Sequence, residues 1–173
     1  LFGSLVIFSD KPFRIGDWIK TSVAEGIVEE VGIRSTKIRT FAQAIVSVPN
    51  AVLANNEILN WSRMGKRRIK IKLGLTYNTK ANDMKNIVEE IKIMLNKHKD
   101  IHQDTIFIYF TDFDSSSLGI FCYFFTKSTA WGEYMRVKED VNFLIMNIVE
   151  KNSASFAFPS QSIYIENTKE ELI

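Results

Sequence analysis

The chain has 173 residues, enough for one ordinary domain or two small ones sharing an interface. Hydrophobic residues make up 46% and charged residues 24%, which fits a folded protein; the formal charge of +2 lacks the basic excess of a dedicated nucleic-acid binder. A single cysteine, Cys122, excludes an internal disulfide, and no run reaches the ~18–20 apolar residues that span a bilayer.

In chain order, residues 1–9 read as the last turns of a helix begun upstream, broken at Asp10-Lys11-Pro12 because proline cannot continue a helix interior. A chain that opens on Leu1 rather than Met, with no signal-peptide pattern, is expected to be part of something longer whose missing part lies upstream. From Pro12 to Trp61 the pattern is short strands and tight turns: Trp18–Lys20, Gly26–Val31, Thr36–Thr40 and Ala44–Val48, the last ended by Pro49-Asn50. Gly16-Asp17 reads as a turn launching a strand, and Gly26 as the residue that permits a hairpin bend. Asn50 reads as a turn residue bonding its own backbone. A helical turn is expected over Ala51–Asn56, before a last short strand. Such spacing predicts a small barrel or SH3-like roll.

The second half changes character. Ile69, Ile71, Leu73 and Leu75 alternate with polar residues or glycine, the pattern of a half-buried strand. Met84, Ile87, Val88, Ile91, Met94 and Leu95 share one face of a helix predicted over Asn82–Asn96. Strands follow at Ile106–Phe110 and Leu118–Phe125, joined by a turn over Asp112–Ser117. Tyr134, Val137, Val141, Leu144, Ile145 and Ile148 mark a second helix, and short strands fall near Ser155–Phe158 and Ile163–Ile165. The order β-α-β-β-α-β is that of a ferredoxin-like α+β domain.

The residues offer little to catalysis. His98 and His102 are four apart and could share a helix face, but a zinc site needs three or four protein ligands. Ser115-Ser116-Ser117 lacks the Gly-x-Ser-x-Gly context of an activated serine and reads as turn material. Cys122 sits in an apolar run, where a buried, inert thiol is expected. No phosphate-binding glycine loop is present. The basic run Arg63–Lys72 could attract phosphates or ions, and reads first as a solvated junction followed by the polar face of a strand. Phe121, Tyr123 and Phe125 alternate on one strand face; they could stack on bases, but are expected in the core under a helix layer.

Three stretches resemble one family in order and spacing. Lys11-Pro12-Phe13-Arg14-Ile15-Gly16-Asp17-Trp18-Ile19 resembles the lead-in to the cytoplasmic β domain of MscS-type small-conductance mechanosensitive channels. Glu25–Thr36 resembles the next hairpin, and Val46–Leu53 followed by Asn60-Trp61-Ser62-Arg63 resembles the family's Pro-Asn signature and the end of that domain. Gly74–Tyr77 and Phe158–Gln161 follow in the right order. One departure is visible: Phe41-Ala42-Gln43 stands where family members often have an Asp-Gly turn, whose glycine supplies positive φ at no steric cost.

The resemblance implies a fold of mixed β and α+β type: a small SH3-like/Sm-like β barrel followed by a ferredoxin-like α/β domain. It divides the chain into the end of a pore-lining helix (1–9), the β domain (10–66), the ferredoxin-like domain (67–161) and a C-terminal strand and tail (162–173). It implies no enzyme, no catalytic or metal-ligating residue and no cofactor. The expected partners are further copies of the chain in a homoheptamer, the bacterial inner membrane through upstream helices, and permeating ions and small osmolytes; no nucleic acid is expected. Lys11, Pro12, Phe13, Arg14, Gly16 and Asp17 would form the membrane-proximal junction. Gly26, Pro49, Asn50 and Asn60 would be β-domain determinants, and Ile163, Tyr164 and Ile165 an axial strand. An RNA-binding ring built on an Sm-like barrel is the alternative, since fold does not fix function.

Overall fold

The computed structural model describes residues 11–160. Its contacts separate into two compact units that divide between Gly65 and Lys66.

The first unit contains β1 (Trp18–Lys20), β2 (Glu25–Val31), β3 (Ser35–Thr40), β4 (Ile45–Pro49), a short helix α1 (Asn50–Asn55) and β5 (Leu59–Asn60), closed by a 3-10 turn at Trp61–Arg63. The strands form one antiparallel sheet in the order β4-β3-β2-β1-β5, the SH3-like/Sm-like meander in which the last strand returns to the first. Period-2 alternation puts Val28, Ile38 and Val48 on the inner face, where they pack with Phe13, Ile19 and Leu53.

Two expectations change here. Gly26 is not at a bend: it lies mid-sheet, opposite Ile19 on β1 and Thr40 on β3. A Cβ there would sit 2.1 Å from the Arg39 carbonyl oxygen, so the glycine serves close approach of two backbones. The β1–β2 bend is made by Thr21, whose N–H donates to the Ala24 carbonyl at 2.8 Å and whose hydroxyl accepts from the Val23 and Ala24 N–H groups. The β3–β4 turn, which lacks the glycine, still uses a left-handed residue. Gln43 takes φ 68°, and its carbonyl accepts from the Arg39 guanidinium at 3.1 Å.

The second unit is built from β6 (Arg67–Leu75), α2 (Ala81–Lys97), β7 (Ile101–Phe113), β8 (Leu118–Thr126) and α3 (Trp131–Lys151). The sheet order is β6-β8-β7, all antiparallel, and Phe156 bridges back to Leu75 on the free edge of β6. That is the ferredoxin-like arrangement with its last strand reduced to one bridge. The expected helix end over 1–9 and strand at Ile163–Ile165 lie outside the described residues.

Packing rather than capping holds the helices. The residues before α2 and α3, Lys80 and Ala130, make no side-chain cap bond, forgoing about 1 kcal/mol at each end. Met84, Ile87, Ile91 and Leu95 of α2 and Val137, Val141, Ile145 and Val149 of α3 are buried against the sheet, each contributing roughly 1.5–3 kcal/mol. Charged pairs join the helices at their rim: Lys151 and Asn152 bond Glu90, holding its carboxyl below the usual range. Arg136 does the same to Asp100.

β7 is much longer than its apolar stretch suggests, because pairing sets its length: Ile101 and His102 oppose Thr126 and Phe125, and Asp112 opposes Gly119. The segment after His98, expected as a polar helix end and loop, is therefore mostly strand.

The sheet has one covered and one open face. Ile120, Cys122 and Phe124 of β8 are fully buried under the helices. Phe121, Tyr123 and Phe125 point the other way and are only half-buried, so their expected core position is corrected: the helices cover the opposite pleat.

Gly26→Ala is expected to destabilise the first unit by about 2 kcal/mol or more, because backbone must move to admit the methyl. Thermal melts of the chain beside a Gly65→Ala control, where the added Cβ meets nothing within 4 Å, would check it.

Candidate functional site

The lead-in to the first unit is fastened by residues more than forty positions downstream. Phe13 is buried in the β core, which anchors the segment. Gly16 takes φ 92°, a left-handed conformation that glycine adopts freely, and its N–H donates to the Val28 carbonyl at 2.8 Å. The Asp17 carbonyl accepts from the Val28 N–H at 2.9 Å, so the turn is stitched to β2. The Asp17 carboxylate closes its own turn by accepting from the Arg14 N–H at 3.0 Å.

Asn60, at the end of β5, completes the clasp. Its amide nitrogen donates to the Asp17 carboxylate at 2.8 Å and to the Pro12 carbonyl at 3.2 Å, and its amide oxygen accepts from the Ser62 N–H at 3.0 Å. Arg63 donates to the Lys11 carbonyl at 2.6 Å, and the Trp18 N–H donates to the Ser62 hydroxyl at 2.8 Å. The Trp18 ring lies 6.0 Å from Trp61 and edge-on to Phe41 at 5.0 Å. Lys11, Pro12, Phe13, Arg14, Gly16, Asp17 and Asn60 therefore come together, mostly through backbone. The Lys11 and Arg14 side chains are outside the clasp: both residues are exposed, and neither side chain makes an ion pair among the described residues.

Asn50 belongs to a second, separate device. Instead of bonding its own backbone, it donates from Nδ2 to the Gly32 carbonyl at 2.9 Å, while its Oδ1 accepts from the Thr36 hydroxyl at 2.9 Å. Its N–H donates to the Arg34 carbonyl at 2.9 Å. Asn50 and Thr36 are both buried, so this latch ties α1 to the β2–β3 hairpin through satisfied polar groups. Pro49 ends β4 and sets the approach to α1. Of these partners, Ser62 and Arg63 lie in a stretch the sequence motif already included. Thr36 was signalled only by a polar residue at an inward position of an alternating strand.

The other candidates separate. His98 caps the end of α2 and His102 lies in β7, so no helix face joins them. The His98 Nδ1 accepts from the Asp100 N–H at 3.2 Å and its Nε2 lies 3.0 Å from the Asp140 carboxylate, a structural bridge to α3. Among the described residues no group of three or more His, Cys, Asp or Glu is arranged to hold a metal ion. Ser115–Ser117 form the β7–β8 turn. Cys122 is in the core, and burial pushes its thiol up to about 12.

The basic run becomes β6. Arg68, Lys70 and Lys72 stand opposite Phe125, Tyr123 and Phe121 on the open sheet face, where Phe107 and Tyr109 of β7 oppose Tyr123 and Phe121. Phe121, Tyr123 and Phe107 stack at 6.0–6.1 Å, and Lys66, Arg68 and Lys70 lie over Phe125, Tyr123 and Phe121.

Residues 1–63 match the family described as mechanosensitive ion channel, beta-domain, and residues 69–156 match mechanosensitive ion channel MscS, C-terminal. The chain belongs to the MscS family of mechanosensitive channels. It is 41% identical over 169 residues to the low conductance mechanosensitive channel YnaI of Escherichia coli (strain K12), covering 96% of this chain and 49% of that protein. An MscS family protein of Aquifex aeolicus (strain VF5) is 41% identical over 167 residues, covering 96% of this chain and 45% of that protein. The chain thus spans just under half the length of these curated relatives. The crystal structure of Helicobacter pylori MscS in a closed state superposes with TM-score 0.83 and 27% identity, covering 96% of this chain and 64% of that one. Among the described residues no helix is long and apolar enough to cross a membrane.

Asn50→Ala is expected to cost about 2–3 kcal/mol, because it strands the Gly32 carbonyl and the Thr36 hydroxyl inside the protein. Urea titration of the chain should show a lowered midpoint. Pairing Asn50→Ala with Thr36→Val should recover part of the loss, since both polar partners are then removed together.

Proposed function

We propose that this chain is the cytoplasmic vestibule part of a tension-gated, homo-oligomeric channel that releases ions and small osmolytes on hypoosmotic shock. The observation that carries this reading is the match of both units, in order, to domains of mechanosensitive channels. The channel would be a heptamer in a bacterial inner membrane, with this part on the cytoplasmic side. Residues 1–9 would end the pore-lining helix, 10–66 form a ring beneath the membrane, and 67–161 build the hollow vestibule. Residues 162–173 would gather on the axis through Ile163, Tyr164 and Ile165. No catalytic step is part of this function.

Membrane tension favours the state of larger in-plane area, so the bilayer itself biases a two-state equilibrium. This chain's contribution is mechanical and selective. A displacement of the upstream helix reaches it at Lys11–Asp17. There the Lys11 and Pro12 carbonyls and the Asp17 carboxylate are tied to Asn60 and Arg63. The lead-in and β5 therefore move as one body, and little of the displacement is lost in a slack linker.

The test is a patch recording of the full-length channel under graded suction, in a host without such channels of its own. Discrete openings above a pressure threshold are expected; silence with the protein present in the membrane would sink the reading.

Lys11 and Arg14 would supply the contact with lipid headgroups at the membrane face. Replacing both with Gln should shift the threshold measurably in the same recordings, and an unchanged threshold would remove that role.

A further inference from the structure

The second unit carries two unmatched surfaces on opposite sides of its two layers. On one side is the open sheet face. Its aromatics Phe107, Tyr109, Phe121, Tyr123 and Phe125 are covered by no element of this unit, and two of its cations, Arg68 and Lys70, form no ion pair among the described residues. On the other side is the outward stripe of α3. Met135, Phe143 and Met146 are exposed at 45%, 58% and 44%. Glu139 and Glu150 lie in the same stripe, at helical spacing, and form no ion pair among the described residues. One surface is aromatic and cationic, the other apolar and anionic.

We propose that these two surfaces dock on each other between copies of the chain, the α3 stripe of one copy covering the open sheet face of the next. Three arguments choose this occupant. An uncovered sheet face bearing large aromatics is completed by a second helix layer, which turns two layers into three. Like-with-like docking is disfavoured: sheet on sheet sets Arg68 and Lys70 against their own copies, and helix on helix sets Glu139 and Glu150 against theirs. Head-to-tail docking pairs opposite charges and lets Met135, Phe143 and Met146 fill the space between aromatic rings. Because the two surfaces differ, the contact is heterologous, and repetition closes a ring or runs on without limit. RNA would also suit stacked aromatics beside cations. The net charge of +2 and the anionic complement on the chain itself favour the second copy.

The inference rests on the self-assembly part of the proposed function, and the test separates the two. In the full-length protein in its membrane, Lys70→Cys combined with Glu139→Cys is treated with a bismaleimide. A ladder of covalent multimers extending beyond the dimer is expected, and neither single variant should give one. The native Cys122 is fully buried and stays silent. Adding Arg68→Glu should reduce the ladder several-fold, and adding Glu150→Lys to that should restore it. Dimers from either single variant would mean like-with-like docking and overturn the proposal. So would an intact oligomer, verified by its size in detergent, that yields no ladder. Lys70→Cys that is freely labelled in the assembled protein but shielded by added single-stranded RNA would assign the face to RNA instead. A wild-type protein that is monomeric by size would fail the self-assembly reading itself.

Discussion

The first unit depends on one side-chain amide. Asn60 is the point at which β5, the Asp17 turn and the Pro12 carbonyl meet, and it is the last residue of a strand only two residues long. A two-residue strand has little cohesion of its own. Its attachment to β1 is secured by Asn60, Ser62 and Arg63, which bond the lead-in from three successive positions. Charge assistance from the Asp17 carboxylate makes this a stronger fastening than a ladder bond between neutral groups. The lead-in thereby acquires a fixed direction where an upstream segment would join it.

The second unit follows a different economy. Its sheet devotes one pleat to a helix-covered apolar core and the other to aromatics interleaved with cations. Cross-strand register decides both: a one-residue slip of β8 would exchange Phe124 and Cys122 for Tyr123 and Phe121. The helices lack side-chain caps, so their position is inherited from the core face. The open face is thus free to vary in chemistry without disturbing the layer beneath it, which suits a surface given over to association.

Most elements were legible in the sequence because their periodicities are clean. The strands at Trp18–Lys20 and Ile69–Leu75 and the helix around Ile87 and Ile91 follow from alternation and helical spacing alone. What was not legible depended on partners. The length of β7 comes from pairing with β8, not from its own polar residues His102–Asp104. Gly26 looks the same in sequence whether it turns or lets two backbones approach, and only the Arg39 carbonyl decides. Asn50 has a local bonding habit that the buried Thr36 and Gly32 override. The face taken by Phe121, Tyr123 and Phe125 could not be read from β8 alone, where both pleats are apolar. The partners of Asn60 lie 43 and 48 positions away, and no local pattern announces them.

That separation also governs the order in which the first unit can form. β1 to β4 pair with sequence neighbours, so the meander can assemble from contacts that close short loops and nucleate quickly. The lead-in precedes all of them, yet its bonds wait for Asn60 and Arg63, the last residues of the unit to leave a ribosome. Until those arrive the sheet can exist while its first residues still have no settled direction. The segment that enters first is fixed last, and an upstream helix already delivered to the bilayer becomes coupled to the β unit only once that unit is complete.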